Sequence, residues 1–282
     1  MTHESPHHGL AMMLRTLKLP TFAAMHEQVA LRGDREGWTL GQSLRHLCEL
    51  EIEERRMRKI EHLLKASELP PDKTLATLDT RRWPTKVQRQ IPALCSGEFL
   101  DRADNVLVFG LPGRGKTHLC AAIGHELVRK GRSVYFTSTA MLVQRLLRAK
   151  RDLALERELD RLDAYDAVIL DDIGYVQQER DEMEVLFTFF AARYERRSVM
   201  ITSNLVFSQW DRIFKDPMTT AAAIDRLVHH SVILELATKR SFRADVALER
   251  NDNYDDNYGE ALTTRSGDTA EQGTERQPGG EF

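Results

Sequence analysis

With 282 residues, 41% apolar, 29% charged and 7% aromatic, the chain can bury a core and has room for one large domain or two modest ones. Its three cysteines, Cys48, Cys95 and Cys120, stand far apart with no CxxC and no close histidine partner, which argues against a disulfide framework or a zinc module and for a reducing cytoplasm. No apolar run reaches the roughly 18 residues of a membrane span and no basic leader precedes the short apolar stretch near the N-terminus, so a cytoplasmic protein with no membrane partner is expected. The net charge of −3 is uneven: residues 245–282 hold ten acids against three bases, leaving residues 1–244 at +4. A mildly basic body keeps nucleic acid open as a partner.

In chain order, Leu10, Met13, Leu14 and Leu17 recur at helical spacing, Pro20 interrupts them, and Phe22, Met25 and Val29 resume the period, which predicts two short helices. A longer helix starts after Thr39, whose hydroxyl and Gln42 have capping-box spacing. Leu40, Leu44, Leu47 and Leu50 mark its apolar side, and it is expected to reach about Ala66, roughly 40 Å away. Glu51 and Glu54 precede Arg55 and Arg58 by four residues, the spacing of a solvated ion-pair face. Residues 1–68 thus read as a small all-helical N-terminal domain.

Residues 69–104 carry Pro70, Pro71, Pro84 and Pro92 and read as a connector. Across residues 73–90 Lys73, Arg81, Arg82, Lys86 and Arg89 oppose only Asp79. Trp83, set among them, suits either stacking beside phosphate contacts or a packed anchor.

From Asn105 apolar runs alternate with helical patterns: VLVF (106–109), a helix over 116–129, VYFT (134–137), a helix over 141–150, AVIL (167–170) and SVMIT (198–202). Continuous apolar strands separated by helices indicate an α/β fold with a parallel sheet covered on both faces, ligands collecting at the carboxyl ends of the strands. Residues 245–282 have almost no aliphatic content and read as a disordered acidic tail.

Gly110-Leu111-Pro112-Gly113-Arg114-Gly115-Lys116-Thr117 fits GxxxxGK[ST], between an apolar strand and a helix as the phosphate-binding motif requires. The glycines let successive N–H groups face phosphate, Lys116 reaches the outer phosphates, and Thr117 offers a hydroxyl to magnesium. Asp171 and Asp172 close the strand YDAVIL, expected beside the phosphate loop. Asp171 is placed to hold magnesium and Asp172 to polarise the attacking water. Asn204 could bond that water or the terminal phosphate. Arg226, in AAIDRLVHH, either reaches a neighbour's phosphate or pairs with Asp225 or Asp181.

The segments GLPGRGKTHL, YDAVILDDIGY, ARYERRSVMITSNLVFSQW, FKDPMTTAAAIDRLVHHSVILEL and ELEIEERRMRKIEHLLKASELP together resemble the IstB transposition-helper ATPases, relatives of the DnaC helicase loaders in the AAA+ class. The resemblance spans about Leu10 to Arg243. It implies a P-loop AAA+ domain over 105–244 and an ATP- and Mg2+-dependent homo-oligomer on double-stranded DNA that prepares a target and recruits a DDE-type, IstA-like transposase. It also implies Asn204 as sensor and Arg226 as the arginine given to a neighbour, with Asp172, Asn204 and Arg226 as the catalytic set. Asp172 stands where many AAA+ enzymes carry Glu, which predicts slow hydrolysis. Candidate DNA contacts are Arg81, Arg82, Lys86 and Arg89, with Arg55, Arg56 and Lys59 as a second group. The alternative is a DnaC-like replicative helicase loader. A small-molecule kinase would leave ITSN and Arg226 unexplained.

Overall fold

The computed structural model describes residues 6–173, 180–205, 209–210 and 224–236. The tail reading, at 245–282, lies outside the described residues. The chain opens with α1 (Pro6–Thr16), α2 (Pro20–Glu36) and α3 (Leu40–Ser67). The capping box forms as its spacing requires: Gln42 N donates to Thr39 Oγ1 at 3.3 Å and Thr39 N to Gln42 Oε1 at 2.7 Å. α2 is longer than the periodicity suggested, because Gly33 continues the helix and lets it approach α3. A Cβ there would meet Ser43 Oγ at 2.8 Å.

α2 has no side-chain cap of its own, and its first turn is served from α3 instead. Glu51, 4% exposed, accepts a hydrogen bond from Thr21 N at 2.8 Å and pairs with Arg55 at 2.8 Å. Burial would raise the Glu51 pKa, but Arg55 and the Thr21 N–H outweigh it and hold the carboxyl below its ordinary value. Arg55 also donates to Lys18 O, so it clasps the α1–α2 corner to α3.

Residues 69–104 contain more structure than their prolines suggest: a 3-10 turn at Leu75–Thr77, α4 (Thr85–Ser96) and α5 (Glu98–Asp101). Pro84 sits just before α4, where it disturbs no bond. Pro92, inside the helix but exposed, removes one N–H donor without ending it. Leu69, Trp83, Val87, Ile91 and Phe99 are buried in the same apolar cluster as α6 (Lys116–Arg129), so this stretch is a layer of the core.

The sheet has five parallel strands in the order β2-β3-β4-β1-β5: β1 (Asn105–Phe109), β2 (Val134–Ser138), β3 (Ala167–Asp171), β4 (Ser198–Ser203) and β5 (Ser231–Glu235). Both faces are apolar, with alternate residues going to opposite sides. Val106 and Val108 pack with α4 and α6, while Leu107 and Phe109 pack with α7 (Thr139–Arg151), α8 (Leu155–Asp163) and α9 (Arg180–Arg193). β4 pairs with β1 through Val106↔Met200 and with β3 through Ile169↔Met200. β1 is therefore flanked by β4 and β5, and the aspartate-bearing β3 lies one strand further out, beyond β4. No helix among the described residues is long and apolar enough to cross a membrane.

Where α8, α9 and β4 meet, Arg193 is 2% exposed. It donates to Leu162 O (2.7 Å), Tyr165 O (2.9 Å) and Ser198 O (2.9 Å). Burial lowers its guanidinium pKa to about 10. Arg193→Met leaves these carbonyls without a donor and should cost roughly 2–5 kcal/mol. A urea-unfolding midpoint equal to that of the unmodified chain would contradict this role.

Candidate nucleotide-binding site

Between β1 and α6, residues 110–115 form a loop in which Gly113 (φ +75°) and Gly115 (φ +88°) adopt left-handed backbone that a β-carbon would strain. At Gly115 space is closed as well. A Cβ would lie 2.9 Å from Trp83 Cζ2. α6 starts at this glycine without a side-chain cap, so its first N–H groups make an anion-binding end. Lys116, 8% exposed, donates from Nζ to Gly110 O at 2.7 Å and to Leu111 O at 3.2 Å.

The loop borders a cavity of about 210 Å³, lined by residues 112–118 together with Lys73, Asp172 and Thr202. Three cationic side chains, Lys73, Arg114 and Lys116, therefore bound one space, and Thr117 adds a hydroxyl. His118 Nε2 lies 3.1 Å from both Thr74 O and Thr77 Oγ1. Burial, with the nearby Lys73 charge, lowers the His118 pKa although Thr74 O and Asp72 oppose this, so the ring is neutral at physiological pH. Thr77 Oγ1 itself donates to Asp72 O at 2.7 Å, which leaves His118 Nε2–H as the donor to Thr74 O.

On the far side of the cavity stand the two aspartates, and Thr202 of β4 arranges both. Its hydroxyl donates to Asp171 Oδ1 at 2.7 Å and accepts from Asp172 N at 2.8 Å, while its carbonyl accepts from Ile173 N at 3.0 Å. Asp172 is held at φ +65°, a strained conformation for a non-glycine residue that the neighbouring strand must maintain. Asp172 lines the cavity, whereas Asp171 ends β3 half-buried behind Thr202. Burial, reinforced by the Asp171 charge, pushes the Cys120 thiol up, and burial drives Cys95 up to about 11, so neither is a thiolate nucleophile at neutral pH.

The remaining sequence candidates are dispersed. Gly110 and Leu111 supply the carbonyls that Lys116 bonds. Asn204, just past β4, is half-buried, and its Oδ1 has no hydrogen-bond partner among the described residues. Arg226 lies outside the cavity lining with its guanidinium 4.5 Å from the Phe187 ring centroid, while Asp181, one partner considered for it, pairs with Lys150. Of the proposed DNA contacts, Arg55 is committed to Glu51 and Lys18 O, Arg81 forks onto Asp79, and Arg56 pairs with Glu53. Arg82, Lys86 and Arg89 are exposed on the α4 side, and Lys59 is exposed on α3. Trp83 is a packed anchor, 4% exposed with Nε1 donating to Arg114 O at 3.1 Å.

His118 and Thr202 were not singled out from the sequence as nucleotide-site residues, and Lys73 was noted only within a basic run suited to phosphate contact. His118 had the signal of following the motif directly and Thr202 that of ending an apolar strand. Lys73 had the signal of its basic run, but that it alone of the run lines the cavity follows from tertiary folding.

A family model described as IstB-like ATP binding protein matches residues 12–248. The chain is 45% identical over 241 residues to an insertion sequence ATP-binding protein of Sinorhizobium fredii, covering 85% of this chain and 80% of that protein. It is 33% identical over 229 residues to the insertion sequence IS21 ATP-binding protein of Pseudomonas aeruginosa, covering 81% and 86%. Among solved structures, AMPPCP-bound DnaA from Aquifex aeolicus aligns with a TM-score of 0.50 at 18% identity, over 67% of this chain and 57% of that one. DnaI aligns with a TM-score of 0.51 at 19% identity, over 60% and 95%. At these identities the structural likeness speaks for the fold alone, a parallel sheet covered by helices. With the phosphate loop, the paired aspartates and a family model spanning most of its length, the chain belongs to the IstB-like family of insertion-sequence ATP-binding proteins.

Proposed function

We propose that this chain is an ATP-hydrolysing helper of insertion-sequence transposition, whose ATP-charged copies assemble on duplex DNA in the cytoplasm, prepare a target site and recruit a DDE-type transposase. The observation that carries this reading is the cavity, in which three cations and a glycine loop face an aspartate held by the neighbouring strand, in a chain of the insertion-sequence ATP-binding family. The proposed division is a helical domain over 1–68, a connecting layer over 69–104, an ATPase domain over 105–244 and an acidic tail beyond.

In this mechanism the N–H groups of residues 113–117 and the Lys116 ammonium hold the outer phosphates, with Arg114 and Lys73 adding positive charge around them. The Thr117 hydroxyl and Asp171 carboxylate are hard oxygen donors that suit magnesium, which when bound neutralises phosphate charge. Asp172 orients the attacking water and takes its proton, and its short side chain implies slow turnover. Asn204 Oδ1, buried without a partner among the described residues, has acceptor capacity to offer that water. Arg226, outside its own cavity lining, serves the terminal phosphate of a neighbouring copy. Duplex phosphates are met by Arg82, Lys86, Arg89, Lys59 and Arg56, while the buttressed Arg55 and Arg81 help shape that surface.

The test is a gel shift of plain duplex DNA by the protein alone. ATP should promote the shift and Lys116→Ala should abolish both it and tight ATP binding. A protein that shifts no duplex under any nucleotide condition supports the helicase-loader reading instead. Replacing Arg82, Lys86 and Arg89 together by alanine should flatten the slope of log affinity against log salt by about 0.9 for each DNA phosphate no longer neutralised.

Thr202→Val keeps the shape of the side chain and removes the hydroxyl that serves both aspartates. It should slow hydrolysis by roughly tenfold or more. The ATP dissociation constant should stay within about threefold, since the phosphate loop is untouched. Equal loss in both quantities would refute the positioning role.

Arg226→Ala should bind ATP normally yet hydrolyse it on the order of a thousandfold more slowly. Mixing it with Lys116→Ala, which retains Arg226, should restore part of the activity. Full activity of Arg226→Ala at dilutions where the protein is monomeric would rule the trans role out.

A further inference from the structure

Trp83 stands in the proline-rich stretch before β1, outside every segment that names a nucleotide site, yet it touches the phosphate loop at its most constrained point. Its Nε1 donates to Arg114 O at 3.1 Å, and its ring presses on Gly115 so closely that no β-carbon fits. The side chain is 4% exposed, so this bond is shielded from water. A peptide unit is planar and trans, with its carbonyl and its N–H pointing in opposite directions. Tying the Arg114 carbonyl to the indole on the buried side therefore turns the Gly115 N–H away from the indole. Gly115 lines the cavity, so that direction is the one in which a phosphate would accept it.

Glycine at φ +88° offers little resistance of its own to rotation of this peptide. A flip would withdraw one N–H from the phosphates and present a carbonyl, which repels them. We propose that Trp83 is a positioning residue of the phosphate loop: its indole N–H locks the Arg114–Gly115 peptide in the phosphate-accepting orientation, and nucleotide occupancy is felt in turn by the segment that carries it.

That segment is fastened along α6 from its beginning. Pro70 O lies 2.9 Å from His125 Nε2, Thr74 O and Thr77 Oγ1 hold His118, Trp83 N donates to Thr80 O at 3.0 Å, and Gln88 Nε2 donates to Trp83 O at 2.9 Å. The indole is thus supplied by a braced backbone. The proposal rests on the nucleotide reading of the cavity and adds to it a residue that no loop motif contains.

The test uses the full chain and compares the unmodified protein with Trp83→Phe, which keeps a ring on Gly115 but loses the donor, and with Trp83→Leu, which loses both. ATP affinity, measured by calorimetry with magnesium present, should fall roughly fivefold in Trp83→Phe, the worth of one hydrogen bond, and further in Trp83→Leu. In Trp83→Phe, KM should rise while kcat at saturating ATP stays near that of the unmodified protein, because a pre-set loop is uniform binding. Tryptophan emission should respond to ATP in the unmodified protein and in Trp38→Phe, and lose that response in Trp83→Phe. Unchanged ATP affinity in Trp83→Phe overturns the proposal, as does a lowered melting temperature in both variants with no change in affinity. An unmodified protein that binds no ATP overturns the nucleotide reading itself, an outcome distinct from either.

Discussion

β4 runs between β1 and β3, and that placement brings the phosphate loop and the paired aspartates into one site. β1 delivers the loop and β3 delivers Asp171 and Asp172, but the two strands do not pair with each other. The strand between them bonds to both and carries at its end a hydroxyl that each aspartate uses. One side chain therefore couples three segments far apart in sequence. The strain at Asp172 is sustained by the regular ladder beneath it, since a parallel sheet buried on both faces leaves the strand ends little freedom to shift.

α6 plays the matching role on the other side of the loop. Its first turn is the anion-binding end, and its middle is held against both the sheet and the segment following α3. A β-carbon on Gly124 would lie 2.9 Å from Leu69 Cδ2 and 3.0 Å from Ile169 Cδ1, so the helix is packed there to the limit of its backbone. The segment following α3 thus packs on the core at α6, the helix that opens the candidate phosphate site, while α3 itself rests on both α6 and β2.

The phosphate loop, the core strands and the capping box at Thr39 were legible in the sequence because each is written in contiguous residues whose spacing follows local geometry. Strand order is not written that way: Asp172 does line the cavity beside the loop, as its place after an apolar strand suggested, but the strand inserted between β3 and β1 could not be read from spacing. Trp83 had two open readings from sequence, since its role depends on a carbonyl at residue 114. Thr202 looked like one more apolar-strand position until β3 lay beside it. The Glu51–Arg55 pair was legible from its four-residue spacing, whereas its burial and its role in completing the start of α2 are visible only once α2 folds back on α3. Pro92 misled because a missing donor weakens a helix without ending one that is buried on its other face.

The span of α3 sets a mechanical ratio. Its last turns, at Ile60 and Leu63, rest on the core cluster beside α6, while its first half is bound up with α2. At 1.5 Å per residue its 28 residues make a rod of about 42 Å pivoted near one end. A tilt of about five degrees at that pivot, about 30–35 Å from the far end, sweeps that end through about 3 Å, over half the rise of one helical turn. A small rotation at the core end of α3 is in this way larger at the outer helices than anywhere near the loop.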